Sequence, residues 1–291
     1  MKNRISYSKI IAGTMTWGSW GKNLSKAEMS GLIDYCFDNG ITTFDHADIY
    51  GGYDNEEAFG NAFFKSEIPR ERTHLITKCG IQYVCKARDN KVKHYNYSKD
   101  YIIWSAERSL TKLKTDYLDL FLLHRPSPLM EPEEIAEAIL HLQKEGKIRE
   151  FGVSNFSPSQ IALLESVIPV TANQVEFSLT AEKLMFDGTF DDCILHNRTA
   201  MAWSPLGSYF RESDKRRKRI KKVLKNFKKK YKADSSQILL AWILKHPSKV
   251  HPVVGTTNKD RLKASTEATE IELELEDWFS LLVASQGHKV P

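Results

Sequence analysis

Short runs of β-branched and aliphatic residues alternate with stretches of helical periodicity from one end of the chain to the other. The apolar runs predict eight strands, near Ile10–Gly13, Thr42–Phe44, His74–Lys78, Leu118–Leu123, Glu150–Ser154, Ala172–Val175, Met201–Ser204 and Pro252–Val254, each followed by a polar loop. Explicit start signals mark the helices between them. Ser25 and Glu28 form a capping-box pattern ahead of Met29, Leu32, Ile33 and Cys36, and Asn39-Gly40 closes that helix. Asp54 with Glu57 opens the second helix, and Ser98 the third. Ser157 opens the fifth, with Pro158 at its first position and Gln160 behind it. Asp234 and Gln237 open a helix through Leu240, Ala241 and Leu244 that stops at Pro247. Repeated βα units imply right-handed crossovers around a parallel sheet, and eight of them predict closure into a (β/α)8 TIM barrel. A doubly wound open sheet is the alternative, but it usually has fewer strands and a glycine-rich fingerprint after the first, which this chain lacks. No linker or repeat divides the chain, so residues 1–291 are expected to form one domain.

Composition narrows this picture. A hydrophobic share of 41% and a mean hydropathy of −0.42 describe an ordinary globular protein. The opening MKNRISYSKIIAG holds no apolar core of signal-peptide length, and no apolar run approaches the roughly 18 residues that cross a bilayer. A cytoplasmic location without membrane contact is expected. Cys36, Cys79, Cys85 and Cys193 lack metal-ligand spacing, so no metal is expected, and they read as reduced thiols. The net charge of +5 conceals an asymmetry, because Lys215 to Lys232 holds 12 basic residues and no acid, leaving 30 basic against 37 acidic elsewhere. Ile220, Val223, Leu224, Phe227 and Tyr231 recur there at helical spacing, which predicts an amphipathic helix with a solvated basic face. No nucleic-acid partner is expected.

In a barrel, polar residues at strand C-termini converge on one face. The densest stretch is TTFDHADIYGGYDNEEAFG, which presents Asp45, His46, Asp48 and Tyr50 before a glycine turn and a helix. Lys78 ends the third strand and His124 the fourth, Ser154 and Asn155 follow the fifth, and Gln174 lies in the sixth. Trp203 and Ser204 stand at the seventh, and Gly255, Thr256 and Thr257 follow the eighth. Each has an ordinary explanation alone: a snorkelling lysine, a satisfied histidine, a cap, a core tryptophan. Their joint placement at the same end of successive strands does not.

The stretches GTMTWG, FDHADIYGG, ITKCG, LDLFLLHRP, GVSNF, NQVEFS and WSPLG span nearly the whole chain and resemble the aldo-keto reductases, most of all the bacterial YdhF-type oxidoreductases. The resemblance implies an NADPH-dependent oxidoreductase that reduces an aldehyde or ketone at the C-terminal mouth of a (β/α)8 barrel. It assigns Tyr50 as proton donor, with Asp45, Lys78 and His124 completing a catalytic tetrad. Carbonyl reduction needs a hydride, which a reduced nicotinamide supplies because no side chain can. The proton needs a donor brought down from tyrosine's usual pKa of ~10, and a Lys78 ammonium held by Asp45 is expected to lower it. His124 would orient the substrate carbonyl.

The same resemblance assigns Ser154, Asn155 and Gln174 to the nicotinamide carboxamide and Trp203 to stacking on its ring. Ser204, Pro205, Leu206 and Gly207 match the loop at the pyrophosphate. Gly13, Thr14 and Met15, with Asp45, match the segment under the nicotinamide ribose. Trp17 and Tyr53 are expected to wall the substrate pocket beside His124. After the eighth strand the chain departs from the family pattern: Gly255 and Arg261 remain, but no basic residue follows the glycine, and Ala264-Ser265 stand where an acid-asparagine pair is common. Arg261, the Thr256 and Thr257 hydroxyls and the Asn258 helix terminus still favour the 2′-phosphate of NADPH, with NADH the second choice. A small carbonyl substrate and a monomer or weak oligomer are expected. The other reading is a cofactor-binding regulatory or partner protein on the same barrel with little turnover, against which an intact Tyr50 and Lys78 speak.

Overall fold

The computed structural model describes residues 5–291, so the first four residues of the predicted domain and N-terminal stretch lie outside it. Among the described residues the strands are β1 (Ile11–Gly13), β2 (Thr43–Asp45), β3 (His74–Cys79), β4 (Ile81–Gln82), β5 (His94–Tyr95), β6 (Leu118–Leu123), β7 (Ile148–Ser154), β8 (Ala172–Glu176), β9 (Thr199–Trp203) and β10 (His251–Val254). Eight of them close a parallel barrel in the order β1-β10-β9-β8-β7-β6-β3-β2, and β4 and β5 form a separate antiparallel hairpin. The eight predicted strands are these eight, with ends shifted by no more than two residues. The hairpin was not predicted, because two strands of two residues each carry no period to read.

The helices are α1 (Lys26–Asp38), α2 (Asn55–Phe63), α3 (Lys99–Leu113), α4 (Pro132–Lys144), α5 (Pro158–Glu165), α6 (Thr189–Leu195), α7 (Lys215–Lys230), α8 (Ser235–Leu244), α9 (Lys259–Glu267) and α10 (Leu275–Gln286). Complete capping boxes open α1, α5 and α8, as their sequences predict. Asp54 precedes α2 without a side-chain cap, and its backbone is already helical where a capping residue is typically extended. In α7, Ile220, Leu224 and Phe227 are buried against a core that includes Leu281 and Leu282 of α10, which leaves its lysines on the outer side.

Strand side chains alternate between faces, and the alternation builds the site. Ile11, Ile76, Leu122, Ala172, Met201 and Val253 pack into one buried cluster. Two residues further along the same strands, and hence on the same face, stand Gly13, Lys78, His124, Gln174, Trp203 and Gly255. The apolar plug therefore gives way to polar-bearing side chains on four of these strands and to glycine on the other two. Outward-facing Phe44, Leu75, Phe121, Phe151 and Val153 pack with the buried stripes of α1 to α5. Each such side chain stabilises the shell by about 1.5–3 kcal/mol relative to exposure.

Gly80 joins β3 to the hairpin with φ +110°, and a Cβ there would stand 2.0 Å from the Tyr97 ring. That clearance lets the Tyr97 hydroxyl donate to the Arg125 carbonyl at 2.5 Å and accept the Arg125 N–H at 3.1 Å, so the hairpin is stitched to the end of β6. Gly80→Ala is expected to cost at least about 1–3 kcal/mol, read as a lower urea midpoint at unchanged slope. An unchanged midpoint would mean that Tyr97 yields freely.

Candidate active site

A cavity of about 620 Å³ opens at the C-terminal end of the barrel strands. At its base Lys78, only 1% exposed, donates to both carboxylate oxygens of Asp45 at 2.8 Å, to the His46 carbonyl at 2.7 Å and to the Tyr50 hydroxyl at 3.2 Å. Gln174 donates to the same carboxylate at 2.8 Å. Burial opposes the charge on Lys78, but Asp45 and Tyr50 outweigh it and raise its pKa. Buried ions are tolerated only with such complete hydrogen bonding.

Tyr50 stands in the tight turn Tyr50–Gly52, its ring centroid 6.1 Å from that of His124. The expected lowering of its pKa is corrected by the structure. Burial raises it most, Lys78 pulls it down, Asp45 pushes it up again, and the outcome is above the ordinary tyrosine value. The phenol is therefore a protonated acid with an ammonium beside its oxygen. Burial, followed by the charges of Lys78, Arg125 and Lys93, holds His124 well below the usual imidazole range, so its ring is neutral.

Gly13, Met15, Ser154, Gln174, Trp203, Ser204, Pro205 and Gly255 also line the cavity. Asn155 lies beside it, with φ +64°, accepting the Trp203 indole N–H at 2.9 Å and donating to Ser154 Oγ at 2.8 Å. Its amide thus fixes Trp203 and Ser154. Thr14 is fully buried and turned away, its hydroxyl donating to the Asp45 carbonyl at 3.0 Å. Trp17 is also fully buried and packs on Phe44 and Phe59. Tyr53 lies under the hairpin, donating to the Ile81 carbonyl at 3.3 Å and accepting the Tyr83 N–H at 3.1 Å. The expectation that Trp17 and Tyr53 wall the pocket is therefore corrected: Trp20, Tyr83 and Tyr95 do so. Trp20 sits in a glycine- and serine-rich loop (GSWGKN), a polar setting that marks it as the more exposed of the two tryptophans.

A second groove of about 750 Å³ shares Ser204, Pro205 and Gly255 with the cavity and continues past Leu206 and Gly207 to Ser235, Thr256 and Arg261. Thr257 follows in the same loop, half-buried. Gly207 has φ +53°, and a Cβ there would collide with Thr180 Oγ1 at 2.0 Å. Arg211 and Lys228 also line this groove. Sequence reading missed both: Lys228 lies within the basic run read as a solvated face, and Arg211 lies in the loop between β9 and α7.

With this geometry in view, comparison with known proteins is informative. The model of the Aldo/keto reductase family matches residues 9–281. The oxidoreductase YcsN of Bacillus subtilis (strain 168) is 42% identical over 293 residues, covering 99% of this chain and 97% of its own. Oxidoreductase YdhF of Escherichia coli (strain K12) is 40% identical over 288 residues, covering 98% and 96%. The crystal structure of an aldo-keto reductase from Klebsiella pneumoniae in complex with NADPH superposes with a TM-score of 0.77 at 25% identity, covering 98% of this chain and 92% of that one.

Behind Lys78, Asp48 is buried beneath the Tyr101 and Ser105 hydroxyls, which donate to it at 3.3 and 3.2 Å. Burial first, then the nearby Glu56, pushes its pKa up to about 7. An unfolded aspartate titrates near 3.9, so between about pH 4 and 7 the native chain retains a proton that the unfolded chain has lost. This group therefore makes stability fall as pH rises through that window. Asparagine cannot ionise. The stability of Asp48→Asn relative to wild type should therefore climb with pH, by up to about 1.4 kcal/mol per unit, in chemical denaturation between pH 5 and 7. A pH-independent difference would show that Asp48 is ionised in the native state.

Proposed function

The chain belongs to the aldo/keto reductase family, and from that premise we propose that it is a single-domain, cytoplasmic reductase of aldehydes or ketones that uses NADPH and takes its proton from Tyr50. The observation that carries this reading is the Tyr50 hydroxyl lining an open cavity 3.2 Å from the buried Lys78 ammonium. The four free thiols suit a reducing compartment.

The residues fit a dinucleotide. Ser154 and Gln174 face the nicotinamide end, and Trp203, its indole fixed by Asn155, offers a flat surface for the ring. Ser204 to Gly207 would follow the pyrophosphate along the connected groove, where a side chain at position 207 would clash. Lys228 and Arg261 in that groove offer cations to a 2′-phosphate, and Thr256 and Thr257, not an acid, directly follow Gly255. When bound, the reduced nicotinamide supplies the hydride.

The chain's own side chains do the rest. His124, neutral, and the Tyr50 hydroxyl receive the substrate oxygen. As negative charge develops on that oxygen, Tyr50 releases its proton to it, and the Lys78 ammonium stabilises the phenolate left behind. Asp45, fixed by Gln174, keeps Lys78 charged and aimed. With its pKa raised, Tyr50 holds its proton at neutral pH and is ready to donate it.

Tyr50→Phe should bind NADPH almost as wild type in a fluorescence titration while losing roughly 10²-fold or more in kcat for a generic aldehyde. Retention of more than about a tenth of the rate would remove Tyr50 from the role of main acid. Arg261→Ala should weaken NADPH about 10- to 150-fold, the worth of one charge-assisted pair of roughly 1.5–3 kcal/mol, and NADH far less. Equal losses for the two cofactors would overturn the assignment of the 2′-phosphate to Arg261.

A further inference from the structure

We propose that the cavity is built for a carbonyl compound that carries its own carboxylate, a short oxo-acid, held by Arg125 and Lys93; this rests on the reductase reading above. The charged groups at the cavity do not balance. Asp45 is matched to Lys78 and His124 is neutral, which leaves the guanidinium of Arg125 and the ammonium of Lys93. Neither cation has an ion-pair partner among the described residues. A half-buried arginine without a counter-charge is a costly arrangement that an anionic ligand relieves.

Their placement is not accidental. Arg125 follows His124 directly, its backbone is clamped on both sides by the Tyr97 hydroxyl, and its guanidinium lies 5.5 Å from the Trp203 ring centre. Lys93 is carried to the same mouth by the β4–β5 hairpin, which Gly80 and Tyr97 fold back over the barrel. Both charges are close enough to act on His124, the group beside the reacting oxygen. A planar guanidinium fork matches the two oxygens of a carboxylate, and the aromatic wall of Trp20, Tyr83 and Tyr95 suits a short hydrocarbon stem between the two functional groups. The cofactor's phosphates do not account for these cations, because the groove beyond Ser204 that would hold them has Lys228 and Arg261 of its own.

The test compares 4-oxobutanoate with its neutral methyl ester in steady-state reduction by NADPH, and titrates succinate, which has no reducible carbonyl, against the tryptophan fluorescence of the NADPH complex. The acid is expected to exceed the ester in kcat/KM by about 10-fold or more at low salt, mainly through KM, with the ratio shrinking as salt rises. Arg125→Gln should bring the ratio close to one and weaken succinate by about 10-fold or more, and Lys93→Gln should act in the same direction to a smaller degree. Reduction of acid and ester with equal kcat/KM overturns the carboxylate site and leaves the reductase reading intact. Reduction of neither compound, while a generic aldehyde is turned over, overturns the short oxo-acid as substrate; failure on all three overturns the reductase reading, and the succinate titration then decides the anion site alone: equal binding to wild type and Arg125→Gln rejects it.

Discussion

A charged ammonium inside a closed barrel is the constraint on which this structure turns. Lys78 is almost wholly out of solvent, and its charge persists because Asp45, the His46 carbonyl and Tyr50 surround it. Asp45 in turn accepts from Gln174 on the opposite side of the barrel. One ion pair thus ties β2, β3 and β8 together at the level where the apolar interior ends. Such a pair contributes little net stability over well-packed apolar residues, whereas removing one partner costs about 3–5 kcal/mol. Its persistence is therefore better explained by what it does to the neighbouring phenol than by what it adds to the fold.

The period-2 logic of strands explains why so much of this was legible in the sequence. Lys78 and His124 lie two residues beyond Ile76 and Leu122, so strands read from apolar pattern alone put them on the inner face. The same rule, applied strictly, would have turned Thr14 away: Gly13 faces the cavity, and its neighbour must face out. What the pattern cannot carry is the path of loops. Trp17 and Trp20 are three residues apart, and only the course of the loop after β1 decides that one is buried under Phe44 while the other meets the cavity. Tyr53, at φ +80°, is turned under the hairpin by a backbone conformation that composition does not announce. The direction of the Tyr50 shift was equally out of reach, since it depends on how completely the fold buries the ring, and burial there outweighs the lysine.

The basic run from Lys215 shows the same division. Its apolar stripe was readable and is buried as expected, but the uniform chemistry of its outer face concealed a difference among its lysines. Lys228 lines the groove beside Arg261 and Ser235, and Lys230 pairs with Asp277 of α10. Twelve similar cations in sequence thus become several distinct local environments, set by which helix each one meets.

Burial sets the protonation of the reacting centre in opposite directions for its two neutral members. It raises the Tyr50 phenol and depresses the His124 imidazole, so both stand uncharged beside an ion pair that is already matched. With the phenol neutral at rest, the Lys78 ammonium can respond more strongly when a phenolate forms 3.2 Å away. Had the phenol been ionised at rest by its lysine, that interaction would be made in the ground state and would not favour the transition state. The raised pKa is thus compatible with the lysine's proposed role and strengthens it: the attraction is held in reserve until the proton leaves.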